Sequence, residues 1–338
     1  MATHDGAPIL SVSALRVSFP VRGTLARAVD GVTFEVDSGT TLGLVGESGC
    51  GKSVTCHSIV GLVDRERGVP GATGHTDGSI VFASHELTKM PTDEINRIRG
   101  NRITMVFQDP LSSLSPVRRI GRQLDEVMRI HRPAWDTSTR TERSLRLLAE
   151  VGISDGRLRL RQYPHEFSGG MLQRIMIALA LTTEPDLLIA DEPTTALDVT
   201  IQAQVLALLR EVQRNRRMAM ILVSHDLGVV RHFADRIAVM YSGVIVEQGP
   251  VELVLGSPRH PYTRGLLRAV PGAGADGAQL EPIPGSVPAI TDRPPGCAFH
   301  PRCTHRLPIC SQRRPDLTAG DHSVACFANP LDRPHGKG

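Results

Sequence analysis

A chain of 338 residues with 41% hydrophobic side chains can bury a core and is not globally disordered. Its 4% aromatic content and its net charge of +3, mixed in sign, argue against a stacking or basic-stripe nucleic-acid binder. No apolar run reaches the roughly 20 residues that cross a bilayer, and Met1 to Leu10 lacks the basic start and apolar stretch of a secretory signal.

The expectation is therefore a chain that stays in the cytoplasm, where its six cysteines serve as thiols or metal ligands rather than disulfides. Residues 9–19 and 28–36 have strand-like, β-rich patterns. Thr41–Val45 is a short apolar strand that runs into a glycine-rich loop. A helix is predicted over 53–63, with Val54, Ser58, Ile59 and Leu62 on roughly one face. Residues 70–78 read as a loop and 103–107 as a buried strand. From Pro110 to about Thr183 the pattern turns helical, with Leu145, Leu148, Val151, Ile175 and Leu179 at helix spacing. Apolar strands follow at 187–190, 219–223 and 237–241, separated by helical segments. Strands alternating with helices imply an α/β fold with a mostly parallel sheet. After about Gly249, proline, glycine, histidine and four of the six cysteines gather, which marks a C-terminal extension.

Gly46-Glu47-Ser48-Gly49-Cys50-Gly51-Lys52-Ser53 fits G-x-x-x-x-G-K-[ST] between a predicted strand and a predicted helix. Glycines let successive N–H groups turn toward phosphate oxygens, and the following helix adds its positive end. Lys52 would reach the outer phosphates of ATP and Ser53 would ligate Mg2+. The apolar run 187–190 ends in Asp191 and Glu192. In an open α/β sheet, ligand chemistry gathers beyond the carboxyl ends of strands. Asp191 would hold Mg2+, mainly through water, and Glu192 would activate the attacking water.

Further pieces make a family visible. Phe167-Ser168-Gly169-Gly170-Met171 resembles the ABC signature motif, and Ala196-Leu197-Asp198 resembles its D-loop. Ser224-His225-Asp226 resembles the switch-histidine segment, and Gln108 sits where the Q-loop glutamine belongs. The order and spacing resemble the ABC ATPase family over about residues 9–250. The signature departs from the commoner Leu-Ser-Gly-Gly-Gln at Phe167 and Met171, a variation similar to the peptide-importer branch. Phe19 resembles the aromatic that stacks on adenine, or is a core phenylalanine; an inserted stretch, 21–27, follows it.

The resemblance implies a P-loop NTPase core over 1–250 with a β-rich N-terminal subdomain and an inserted helical subdomain at about 110–183. It implies catalytic roles for Glu192, His225 and Gln108, with Mg2+ held through Ser53, Gln108 and Asp191. It also implies head-to-tail pairing with a second ABC ATPase subunit, whose ATP the signature residues Ser168, Gly169, Gly170 and Met171 would meet. Two membrane permease subunits and, indirectly, an extracellular binding protein would complete the assembly at the cytoplasmic face of the cell membrane, with no nucleic acid involved.

The extension, 251–338, carries its own likeness. His260-Pro261-Tyr262-Thr263-Arg264-Gly265-Leu266-Leu267 resembles the extension of oligopeptide and dipeptide importer ATPases, and the segment 108–116 resembles that branch's Q-loop. Cys297, Cys303, Cys310 and Cys326 form C-x5-C-x6-C-x15-C. Four thiolates can hold zinc or a [4Fe–4S] cluster, and this spacing matches neither zinc knuckles nor ferredoxin runs. The segment 296–303 resembles the peptide-importer stretch associated with an iron–sulfur cluster. Cys50 precedes a helix, so it is either a reactive thiol or an inert small residue. Peptide import is the expectation; nickel or another small solute, and a soluble ABC ATPase without a transport role, are the alternatives.

Overall fold

The computed structural model describes residues 7–63, 73–195, 197–269 and 282–328. Residues 1–6, residues 70–72 of the expected loop, and Ala196 lie outside them. The chain divides into two compact units. One comprises Met1–Asp37, Thr41–Lys89 and Leu222–Gly338; the other comprises Ser38–Thr40 and Met90–Ile221.

The chain opens on a long hairpin, β1 (Leu10–Val21) and β2 (Thr24–Val36). Arg22 and Gly23 both take positive φ, 48° and 81°, the signature of a two-residue turn that follows strand twist. The expected insertion at 21–27 is thus the hairpin tip. On β1, Leu10, Val12, Leu15 and Val17 are fully buried although Val12 and Leu15 are three residues apart. A register shift between them, with Ala14 at φ 49°, resets the two-residue alternation. Next come β3 (Thr41–Val45), α1 (Lys52–Ile59), β4 (His75–Phe82), β5 (His85–Glu86) and α2 (Thr92–Ile98).

The helix expected over 53–63 ends early. Gly61 takes φ 67°, and the N–H groups of Gly61 and Leu62 turn back to the carbonyls of Ser58 and His57. The loop expected at 70–78 is β4 from His75 onward, paired with β1. Gly78 serves the bulge: a Cβ there would lie 2.6 Å from the Ala14 carbonyl oxygen. These strands make a sheet in the order β2-β1-β4-β5.

After β6 (Ile103–Val106) come α3 (Pro110–Ser113), α4 (Ile120–His131), α5 (Thr137–Glu150), α6 (Gly156–Arg159) and α7 (Gly169–Ala180). The buried stripe Ile120, Leu124, Met128 on α4 has the four-residue period of a helix face. Then follow β7 (Leu187–Asp191), α8 (Val199–Arg216), β8 (Ala219–Ser224), α9 (Leu227–Phe233), β9 (Arg236–Tyr241), β10 (Val244–Pro250), α10 (Val251–Gly256), α11 (Pro261–Arg268) and β11 (Ser323–Val324).

Within the first unit β3 pairs parallel with β9, and β9, β10 and β11 pair antiparallel in turn. Within the second, β6 pairs parallel with β7. Every residue of β3 and β7 is buried, as expected where both faces of a sheet are covered. The segment after residue 250 builds on an existing core. Its Tyr262, Ala298 and Phe299 join Val45, Val239, Tyr241 and Val246 in one apolar cluster.

Candidate functional site

In the first unit, β3 delivers the chain into the glycine-rich loop and α1 receives it. Gly46 has φ 151°, and a Cβ there would sit 2.2 Å from the Met240 carbonyl oxygen, so no other residue fits. Gly51 has φ 106° and packs less tightly, with a Cβ there 3.0 Å from the Ala28 carbonyl oxygen. Ser48 and Gly49 form the exposed tip, while Cys50 and Lys52 are buried. Lys52 Nζ donates to the carbonyl oxygens of Gly46 at 2.8 Å and Glu47 at 3.1 Å, which folds the ammonium back over the loop. Ser53 follows in the first turn of α1 and is half-buried.

The loop's second residue is held from the C-terminal segment. The Glu47 N–H donates to Tyr262 Oη at 2.8 Å. Its carboxylate accepts two bonds from Arg302, Nη1 to Oε2 at 2.8 Å and Nη2 to Oε1 at 3.0 Å. Neither partner was readable from the sequence, because each lies more than 200 positions away.

Of the two readings of Cys50, burial favours the inert small residue. The thiol is fully buried, and desolvation raises its pKa despite Lys52 nearby. A thiol that stays protonated and shielded is a poor nucleophile.

Phe19 lies on β1 opposite Ala26 and is half-buried, with its ring edge 3.1 Å from where a Cβ on Gly74 would stand. His225 is exposed at the end of β8. The turn around it is pinned: Ser224 Oγ accepts from the Asp226 N–H at 2.9 Å, and Asp226 caps α9 through the N–H groups of Gly228 and Val229.

In the second unit, Asp191 ends β7 and is 3% exposed. Glu192 takes φ 47°, a left-handed backbone that costs a non-glycine residue of the order of 1 kcal/mol. Its Oε2 accepts from Gln108 Nε2 at 2.9 Å and from Thr195 Oγ1 at 3.0 Å. The structure therefore joins Gln108 to Glu192, and adds Thr195, which carried no sequence signal beyond following the acidic pair. Gln108 itself is exposed, just past the end of β6.

Ser168 is the N-cap of α7, yet its side chain makes no capping bond, so the hydroxyl is not spent on its own helix. Ser168 and Gly169 are exposed at that positive helix end; Gly170 and Met171 are half-buried. A Cβ on Gly170 would approach Ile201 Cγ2 to 2.7 Å, which explains the glycine by close packing of α7 on α8. Asp198 caps α8 by accepting from the Ile201 N–H at 2.9 Å.

The four C-terminal cysteines are all free thiols. Gly296, at φ 73°, lets the chain lie against Cys310, where a Cβ would meet the carbonyl oxygen at 2.3 Å, and the Cys297 N–H donates to that carbonyl at 2.8 Å. Burial raises the pKa of Cys297 and Cys303, and pushes Cys326 up to about 11; charge on neighbouring cysteines raises all three further. Among the described residues, no three His, Cys, Asp or Glu side chains come together as a site for a metal ion. Among them, too, no helix is long and apolar enough to cross a membrane.

Comparison with known proteins gives two family matches. Residues 29–195 match "ABC transporter", and residues 246–310 match "Oligopeptide/dipeptide transporter, C-terminal region". The chain is 48% identical over 321 residues to the dipeptide transport ATP-binding protein DppD of Bacillus subtilis, covering 94% of each chain. It is 44% identical to the oligopeptide transport ATP-binding protein OppD of Escherichia coli, covering 97% of this chain and 95% of that one. Among solved structures, a bacterial ABC transporter cassette solved as a dimer superposes with a TM-score of 0.63. It shares 24% identity and covers 72% of this chain and 98% of its own, a likeness of fold.

Proposed function

The chain belongs to the ABC transporter ATP-binding family, in its oligopeptide and dipeptide branch, and from that premise we propose that it hydrolyses ATP to drive uptake of di- and oligopeptides through membrane permease subunits. The observation that carries the reading is the likeness to peptide-transport ATP-binding proteins over nearly the whole chain, extension included.

Residues 46–53 cradle the phosphates of ATP, with Lys52 on the outer ones, and Phe19 stacks on adenine. Ser53, Gln108 and Asp191 offer hydroxyl, amide and carboxylate oxygens, a donor set that suits Mg2+, which neutralises phosphate charge when bound. Glu192 accepts the proton of the attacking water. Bonds from Gln108 and Thr195 orient its carboxylate. His225 orients the γ-phosphate. Catalysis is then mostly positioning and charge stabilisation.

The exposed N-terminus of α7, with Ser168, Gly169, Gly170 and Met171, meets the γ-phosphate held by a second ABC ATPase subunit, and Asp198 lies at that interface. The dimeric state of the similar cassette supports such pairing. Two permease subunits and an extracellular binding protein complete the importer, which places this chain peripherally at the cytoplasmic face of the membrane.

Cys297, Cys303, Cys310 and Cys326 hold a [4Fe–4S] cluster in this reading, with zinc as the competing occupant. Support comes from the all-thiol donor set and the resemblance of residues 296–303, not from the geometry, since among the described residues no three such side chains come together as a metal site. Such a group would crosslink four points of the extension. Anaerobically purified protein should carry iron and sulfide; zinc without iron would overturn this assignment.

The ATPase reading is tested with Glu192→Gln. Mixed with its companion subunit and MgATP, this variant should bind ATP, stay paired and not turn over. Hydrolysis at the wild-type rate would refute the role of Glu192.

A further inference from the structure

The phosphate loop carries an acid where its ligand is a polyanion. Glu47 follows Gly46 directly, and its carbonyl oxygen lies 3.1 Å from the Lys52 ammonium that serves the phosphates. An uncompensated carboxylate at this place repels ATP. The compensation comes from the far end of the chain. The Arg302 guanidinium is 6% exposed and forks onto both Glu47 oxygens. It is fixed from several sides: Nε donates to the Pro284 carbonyl at 2.7 Å, Nη1 to Tyr241 Oη at 3.4 Å, and its plane lies 5.7 and 5.9 Å from the rings of Tyr241 and Phe299.

A planar, permanently charged fork is suited to a two-oxygen carboxylate in a way that lysine is not. The Glu47 N–H is meanwhile committed to Tyr262 Oη at the start of α11. Main chain and side chain of one loop residue are thus both engaged by the C-terminal segment, and Arg302 is the residue immediately before Cys303.

We propose that Arg302 is a positioning residue for nucleotide binding, which neutralises Glu47 and thereby makes the ATP affinity of the phosphate loop depend on the C-terminal extension. The proposal rests on ATP being the ligand of residues 46–53. It asks more of the extension than folding: the guanidinium must cancel a charge. That distinction gives the test its shape. If Arg302 acts by charge, removing Glu47 as well repairs its loss. If it acts only by holding the loop in shape, removing either partner does equal harm, and removing both does no less.

The experiment measures equilibrium binding of a fluorescent ATP analogue with Mg2+ to the full-length chain, wild type and variants, after circular dichroism confirms the native fold. Arg302→Gln should weaken binding on the order of tenfold. The double variant Glu47→Gln/Arg302→Gln should return to within about threefold of wild type. Glu47→Gln alone keeps the cation and should bind about threefold tighter than wild type. Arg302→Gln binding as wild type, or a double variant as weak as Arg302→Gln, overturns the proposal. Should Arg302→Gln fail to fold, Glu47→Gln decides: weaker binding than wild type overturns the proposal. Wild-type protein that binds no nucleotide would instead refute the ATP reading beneath it.

Discussion

Acid should loosen the C-terminal segment through a single histidine. His260 is the N-cap of α11, and its Nδ1 accepts the Tyr262 N–H at 3.0 Å, a bond that only the neutral ring can make. The ring is 1% exposed and faces Phe299 at 5.8 Å. The nearby carboxylate of Glu247 is taken up by the N–H groups of Arg259 and His260 and by His322 Nε2. Burial accordingly pulls the His260 pKa down from 6.5 to about 3.

The sign follows from proton counting. Below 6.5 the unfolded chain gains a proton at this site that the folded chain refuses until about pH 3. The site's full contribution is thus present above 6.5 and drains away as the pH falls toward 3. Between about pH 7 and about pH 5 the loss is about 2 kcal/mol, at 1.36 kcal/mol per pH unit below the unfolded pKa. That is a sizeable share of a typical folding free energy. Asparagine keeps a good N-cap but does not titrate. Urea unfolding followed by circular dichroism, at both pH values, should show His260→Asn losing about 2 kcal/mol less than wild type. Carboxylate effects common to both proteins cancel in that comparison. Equal losses in the two would refute the assignment of the acid sensitivity to His260.

Two further outcomes follow from the loop. Cys50, buried with its pKa raised, should react with iodoacetamide far more slowly than a free thiol at neutral pH, with or without ATP. Mass spectrometry that finds it modified first among the six cysteines would contradict that placement. Lys52→Ala should weaken ATP binding itself, read by titration of the full chain, because the ammonium bridging the loop carbonyls also carries the charge meant for phosphate.

What the sequence revealed, and what it hid, divides along chain distance. Residues 46–53, Asp191 and Glu192, and the stretch 167–171 were legible because their chemistry needs fixed spacing within a few positions. The parallel strands β3 and β7 were legible as unbroken apolar runs. The start of β4 was read as a loop because residues 70–78 are rich in glycine and polar side chains, with Gly78 in fact serving a bulge, and the hairpin tip at Arg22 and Gly23 looked like an insertion. Cys50 stayed open between a reactive and an inert thiol because the burial that decides it is revealed only by packing. The clasp of Arg302 and Tyr262 on Glu47 left no local trace at all. It joins residues over 200 positions apart, and no periodicity reaches so far.

The central claim is tested most directly by reconstituting the chain with its companion ATPase, permease subunits and binding protein in liposomes, and following a labelled di- or oligopeptide. The account predicts accumulation that requires ATP on the side bearing this chain and vanishes with Glu192→Gln. Peptide that accumulates equally with that variant, or ATP that is hydrolysed while no peptide moves, would contradict it.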